Sequence, residues 1–243
     1  MNTRVFVSLD VDSADAAFRL VEPLGGEASA YKVGLQLLTA EGPDVVQRLV
    51  AMGKQVFLDL KLHEIPNSVA GAVAAAGQLG ATMVTVHASA GSAVLRAAVE
   101  AARAYPSLQV LALTVITSLR DEDLPEIGLA PSVVVQVERL ARLAVASGCQ
   151  GVVASVQEAA VLASVLPPRT LIVAPGIQLG STQANDQSRI ATPALAARAG
   201  ATHIVVGRAV TRAADPLQAF REVAQGFDAP RNNRKVRKGW LTA

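Results

Sequence analysis

A (β/α)8 TIM barrel is the fold that this chain of 243 residues predicts, and three observations lead to it. A strand-then-helix unit recurs eight times over about 226 residues, with no linker-like stretch between units. The strand interiors are Val, Leu, Ile and Ala, as strands covered on both faces require. The C-terminal ends of the same strands are mostly polar, and a barrel carries its chemistry at those ends. A doubly wound open sheet is the alternative, but the even spacing and the lack of a long crossover disfavour it.

Each unit has its own local reasons. Strand Val5–Leu9 leads to a helix over Ser13–Leu24, where Ser13 can cap the first turn. Strand Ala30–Val33 leads to a helix over Pro43–Met52. Strand Gln55–Leu60 leads to a helix over Pro66–Leu79, and proline suits a first turn whose N–H has no partner. Strand Met83–His87 precedes a helix over Ser92–Ala104. Strand Gln109–Thr114 is followed by a long connection, Leu119–Pro131, and a helix over Ser132–Ser147. Strand Gly151–Ala154 leads to a helix over Gln157–Leu166. Strand Thr170–Val173 is followed by the polar stretch Gly176–Thr192 and a helix over Pro193–Ala199. Strand His203–Val206 leads to a helix over Asp215–Gly226. The two long polar connections lie on the active face and are lid candidates.

Residues 1–228 thus read as a single barrel domain, and residues 229–243 as a basic, disordered tail. The tail holds Arg231, Arg234, Lys235, Arg237 and Lys238 and no acid; without these five the net charge of +2 becomes −3. No basic fold module precedes it, so no nucleic-acid partner is expected. No apolar run reaches the roughly 18–20 residues of a membrane span, and Met1–Val5 enters a strand at once, so neither a membrane partner nor a signal peptide is expected. Hydrophobic residues make up 51% and aromatics 3%, so small aliphatic side chains carry the core. The lone Cys149 excludes an intrachain disulfide framework, suits a cytoplasmic location and reads as a core thiol.

The charge-bearing strand ends define the candidate site. Residues two apart on a strand share a face, so Asp59 and Lys61 project together with Phe57, opposite Val56, Leu58 and Leu60. Asp10 and Lys32 end the first two strands, and Glu64 follows the third. Two cations and three anions around one barrel mouth favour each other's ionised forms; the structural reading of the same cluster is an ion-pair network. Gly207-Arg208 ends the last strand, where backbone N–H groups and a guanidinium fork suit a phosphate dianion. Gln187 could reach the same group from the second long loop. The three histidines have no metal-ligand spacing and the cysteine has no partner, so no metal is expected. There is no dinucleotide fingerprint and no nucleophile elbow. The inventory points to acid–base and electrostatic catalysis on a phosphorylated small molecule, without cofactor.

Asp59-x-Lys61-x-x-Glu64-Ile65-Pro66-Asn67-Ser68 resembles the D-x-K-x-x-D-I-P-N-T motif of the orotidine 5′-phosphate decarboxylase family. Supporting segments span residues 4–226: Ser8-Leu9-Asp10, Tyr31-Lys32-Val33-Gly34, Val86-His87-Ala88, Leu113 to Ser118, Ala174-Pro175-Gly176-Ile177, Asp186-Gln187 with Thr192-Pro193, and Val205 to Arg208. The resemblance implies conversion of orotidine 5′-monophosphate to UMP and CO2, and a homodimer with shared active sites. It implies Lys61 as the proton donor to C6, Asp59 beside the substrate carboxylate, and Lys32 and Asp10 in the charge network and at the ribose. It further implies Thr117 at the pyrimidine, Gln187, Gly207 and Arg208 at the phosphate, and Glu64, Ile65 and Ser68 reaching into the partner's site.

Three positions depart from the family pattern. Glu64 stands for Asp and adds a methylene; Ser68 stands for Thr and keeps the hydroxyl. Gln178 stands where bacterial members usually have Arg, which removes a cation near the phosphate or lid but keeps a donor. Two other functions fit the same fold: a sugar-phosphate decarboxylase or aldolase of the same superfamily, and a nucleotide-binding barrel that has lost catalysis through Glu64.

Overall fold

The parallel sheet closes on itself in strand order β1 to β8. A computed structural model describes residues 3–180 and 191–228. The strands are β1 (Val5–Ser8), β2 (Ala30–Gly34), β3 (Gln55–Leu62), β4 (Met83–His87), β5 (Gln109–Leu113), β6 (Gly151–Val153), β7 (Leu171–Ile177) and β8 (His203–Val206). Closure is made by β1 on β8, with Val5, Phe6 and Val7 opposite Ile204, Val205 and Val206. The helices are α1 (Ala14–Leu24), α2 (Leu35–Glu41), α3 (Asp44–Ala51), α4 (Pro66–Gln78), α5 (Ser92–Ala102), α6 (Val133–Ala146), α7 (Val156–Val165), α8 (Pro193–Arg198), α9 (Arg208–Thr211) and α10 (Pro216–Asp228). The closed barrel expected from the sequence is therefore the architecture found.

Strand parity builds two cores. Phe6, Ala30, Phe57, Met83, Leu111, Leu113, Val153, Val173 and Val205 pack inside the barrel. Phe6 and Phe57 meet edge to face across it, with centroids 5.6 Å apart. The alternate residues, among them Val5, Val7, Tyr31, Val56 and Leu58, face outward into the core beneath the helices. Gly151 is needed at this packing: a Cβ there would stand 2.5 Å from the Leu171 carbonyl oxygen.

Local chemistry sets the helix starts. The Ser13 hydroxyl accepts from the Ala16 N–H at 3.3 Å, capping α1. Pro66 occupies the first turn of α4. Ser155 and Glu158 form a reciprocal capping box on α7.

The structure differs from the sequence reading in three places. α2 begins directly after Gly34, where only a connection was expected. β7 continues to Ile177 through Pro175 and Gly176, with a register shift between Ala174 and Ile177 that absorbs one extra residue. The first long connection contains a 3-10 helix over Asp121–Ile127. Most of the second, and residues 229–243, lie outside the described residues.

Candidate active site

The four charged side chains at the ends of β1 to β3 form one alternating line. The Lys32 Nζ donates to Asp10 Oδ1 at 2.8 Å and stands 3.8 Å from Asp59 Oδ2. The Lys61 Nζ donates to the same Asp59 oxygen at 2.8 Å. The order is Asp10, Lys32, Asp59, Lys61, so each inner charge is flanked by opposite ones. The side chains of Lys32 and Asp59 are only 10% and 13% exposed, which keeps water from screening them and strengthens the pairing. Asp10 lies at the open end. Burial alone would raise its pKa, but the Lys32 ammonium and hydrogen bonds from Lys32 and Ser8 outweigh that and hold it low. The Ser8 hydroxyl donates to Asp10 Oδ2 at 2.5 Å.

The backbone under Lys61 is unusual. Among the described residues, Lys61 alone is a non-glycine with positive φ, at +50°. That conformation costs an ordinary side chain about 1–2 kcal/mol. It occurs where β3 slips against β4: Leu58 faces Val84 but Leu62 faces Val86, so four steps on β3 match two on β4. Thr85 holds the slipped turn. Its hydroxyl accepts the Lys61 N–H at 2.9 Å and donates to Asp59 Oδ1 at 2.9 Å. Thr85 is fully buried. Sequence reasoning did not single it out, although one hydroxyl in the otherwise apolar Met83-Val84-Thr85-Val86 run was a signal that it had a partner.

A cavity of about 800 Å³ opens above the apolar plug, within the range of small-molecule sites. Its floor includes Phe57, Leu113, Val153 and Val205. Asp10, Lys32, Asp59 and Lys61 line it, and so do Gly207 and Arg208. A Cβ at Gly207 would make only an ordinary 3.8 Å contact with the Ser8 Cβ. The protein's own packing therefore does not require glycine there, and the missing side chain leaves the backbone open to a ligand. Thr117 and Gln178 also line the cavity.

Not every candidate residue joins this cavity. Glu64, Ile65 and Ser68 lie outside it, on an exposed run from His63 to Ser68. Ile65 is 62% exposed. Gln187 lies outside the described residues. His87 stacks on His63, with ring centroids 5.1 Å apart. Burial, then the neighbouring His63 and Lys61, push the His87 pKa down. Among the described residues, no three His, Cys, Asp or Glu side chains are grouped so as to hold a metal ion. No helix among them is long and apolar enough to cross a membrane.

The family model for orotidine 5′-phosphate decarboxylase / HUMPS matches residues 3–223. An orotidine 5′-phosphate decarboxylase of Rhodopseudomonas palustris is 49% identical over 220 residues, covering 90% of this chain and 92% of the relative. One of Laribacter hongkongensis is 46% identical, covering 93% of each. The crystal structure of the Lactobacillus acidophilus orotidine 5′-phosphate decarboxylase superposes with a TM-score of 0.84 at 34% identity. It covers 94% of this chain and 100% of that one.

Proposed function

The chain belongs to the orotidine 5′-phosphate decarboxylase / HUMPS family, and on that premise we propose that it converts orotidine 5′-monophosphate to UMP and CO2 without a cofactor, as a step of pyrimidine synthesis. The observation that carries the reading is the alternating Asp10, Lys32, Asp59, Lys61 line in a cavity that Gly207 and Arg208 also line. In this reading the nucleotide's base lies at the charged line and its phosphate at Gly207 and Arg208.

The chemistry follows from the charges. Breaking the bond between C6 and the carboxylate releases CO2 and leaves the electron pair on C6, where the ring π-system does not delocalise it. An ammonium already fixed beside that carbon stabilises the developing charge and then supplies the proton. Lys61 is the group for this step. Its bond to Asp59 and the Thr85 anchor fix it before substrate arrives, so little reorganisation remains. Asp59, in turn, lies beside the departing carboxylate, where like-charge repulsion is relieved as CO2 leaves. Lys32 holds Asp59 and Asp10 in place, and Asp10 and Lys32 serve the ribose hydroxyls. Thr117 and Gln178 contact the pyrimidine and the phosphate side; Gln187 joins the phosphate from the second loop.

The working unit in this proposal is a homodimer. The exposed run from His63 to Ser68, with Ile65 at its centre, follows directly on the catalytic strand. Glu64, Ile65 and Ser68 would complete the neighbour's site rather than their own. A cytoplasmic setting fits the lone thiol.

The test is the ultraviolet absorbance of orotidine 5′-monophosphate on mixing with the protein in a metal chelator. The expected result is complete loss of the orotate band, with no turnover by Lys61→Ala of unchanged circular dichroism. Turnover that requires added Mg2+, or turnover retained by Lys61→Ala, would overturn the mechanism. UMP binding without any turnover would make the chain a nucleotide-binding barrel instead.

A further inference from the structure

The charged line closes over a position that has no side chain. Gly34 is the last residue of β2 and stands two beyond Lys32, so it shares the inner face with Lys32 and Ala30. In the ladder it lies opposite Asp59, and it lines the cavity. A Cβ at Gly34 would stand 3.0 Å from the Lys32 Nζ and 3.1 Å from Asp10 Oδ1. Ordinary van der Waals contact begins at 3.4 Å, so both approaches are too close. They also fall on the two atoms that are joined at 2.8 Å in the Lys32–Asp10 bond. A methyl group there would press on both partners of the pair at once.

Nothing in the local backbone asks for glycine. Its φ of −99° and ψ of −175° are extended values that any residue adopts. Gly34 is the N-cap of α2, where serine or aspartate would accept an orphan N–H, and no side-chain bond caps this helix. Lys32 has little room to yield. Its side chain is 10% exposed and stands between Asp10 and Asp59, 3.8 Å from the latter. An added methyl group therefore drives Lys32 off the line or pushes the more exposed Asp10 away from it.

We propose that Gly34 is a positioning residue for the reaction: the space of its missing side chain lets the Lys32 ammonium close on Asp10 while staying beside Asp59, and so keeps the charged line continuous. The inference rests on the functional reading above for its effect on rate, whereas the pairing itself is measurable without turnover.

The experiment compares Gly34→Ala and Gly34→Ser with the unmodified full-length protein, by steady-state decarboxylation and by carbon-13 NMR titration of the Asp10 carboxyl. Burial pushes the Asp10 pKa up, and Lys32, with Ser8 and Lys61, outweighs it. Parting the pair should therefore raise the Asp10 midpoint by about one pH unit. In both variants kcat/KM should fall about tenfold or more, since serine restores a cap for α2 yet also carries a Cβ. In an Asp10→Ala background, Gly34→Ala should lose no more than about a further twofold, because Lys32 then moves into the vacated space. An unmoved Asp10 midpoint, full activity in Gly34→Ser, or an equal loss in the Asp10→Ala background would each overturn the proposal. If Gly34→Ala fails to fold, the double variant decides: folding restored by Asp10→Ala supports the clash with the pair, and a second failure overturns it. Failure of the unmodified protein to decarboxylate orotidine 5′-monophosphate would overturn the functional reading and leave the titration result standing.

Discussion

Replacing Thr85 by Val keeps the shape of a fully buried side chain and removes one hydroxyl. That hydroxyl makes two bonds of 2.9 Å, accepting from the Lys61 N–H and donating to Asp59 Oδ1. Its loss leaves the Lys61 N–H without a partner at a partly buried site, a cost of about 1–3 kcal/mol. It also frees a backbone held at φ +50°, which the chain can relax by giving up about 1–2 kcal/mol of strain. The two effects oppose one another in stability, so the melting temperature should fall only modestly. A net loss near 1 kcal/mol corresponds to about 2–4 °C at this chain length. In catalysis they act together, because relaxation moves the Lys61 ammonium and loosens Asp59. A misplacement of about 1 Å costs on the order of 100-fold in rate, or about 2.7 kcal/mol. The contacts at the phosphate end are untouched, so KM should change little. Steady-state decarboxylation followed by absorbance gives both constants, and Thr85→Ser should keep most of the rate. A Thr85→Val enzyme with kcat within twofold of wild type would refute the claim that this hydroxyl positions Lys61.

Three other outcomes follow from the fold. Gly151→Ala should cost about 3 kcal/mol or more by overpacking against Leu171 and Leu111; a chemical denaturation loss below about 1 kcal/mol would show that the barrel wall yields there. His87 has its pKa pushed below the usual 6.5, so the unfolded chain takes up its proton first as pH falls. Stability should therefore be full above about pH 6.5 and decline below it, and His87→Asn should flatten that decline in melts between pH 7 and 5; an unchanged slope would remove His87 from the effect. Burial pushes the Cys149 thiol up to about 12, so it should resist thiol reagents in the native state at pH 8 and react fully in denaturant; rapid native labelling would contradict its place in the core.

The strands and their faces were legible because parity is a simple signal. The alternation in Val56-Phe57-Leu58-Asp59 placed Asp59 inside with Phe57, and the two cores divide in that way. The strand-end rule brought Asp10, Lys32, Asp59, Lys61, Gly207 and Arg208 to one cavity. The positive φ at Lys61 left no trace in composition, since lysine is not a residue that favours it; tertiary contact with Thr85 imposes it. β7 was read as ending at Val173 because proline and glycine normally stop a strand, and the register shift that tolerates them depends on β8. α2 was missed because its seven residues span barely two turns, too few for periodicity to declare itself.

The same parity explains why the charged line can exist in a buried setting. Ser8, Lys32, Asp59 and Thr85 each stand two residues beyond a side chain of the inner plug, namely Phe6, Ala30, Phe57 and Met83. The layer that excludes water from below is thus covalently in register with the layer that carries the chemistry. A slip of one residue in any of β1 to β4 would turn the plug residue and the polar residue outward together. It would bury charge beneath the helices in β2 or β3, and a hydroxyl in β1 or β4, and expose an aromatic or aliphatic group to the cavity. Selection against either fault therefore protects the other, and the unpaired cost of a single displaced charge keeps the register fixed. Lys61 is the exception that the chemistry requires. It lies beyond the regular ladder, where β3 takes four steps to two on β4, and this freedom lets its ammonium turn back onto Asp59.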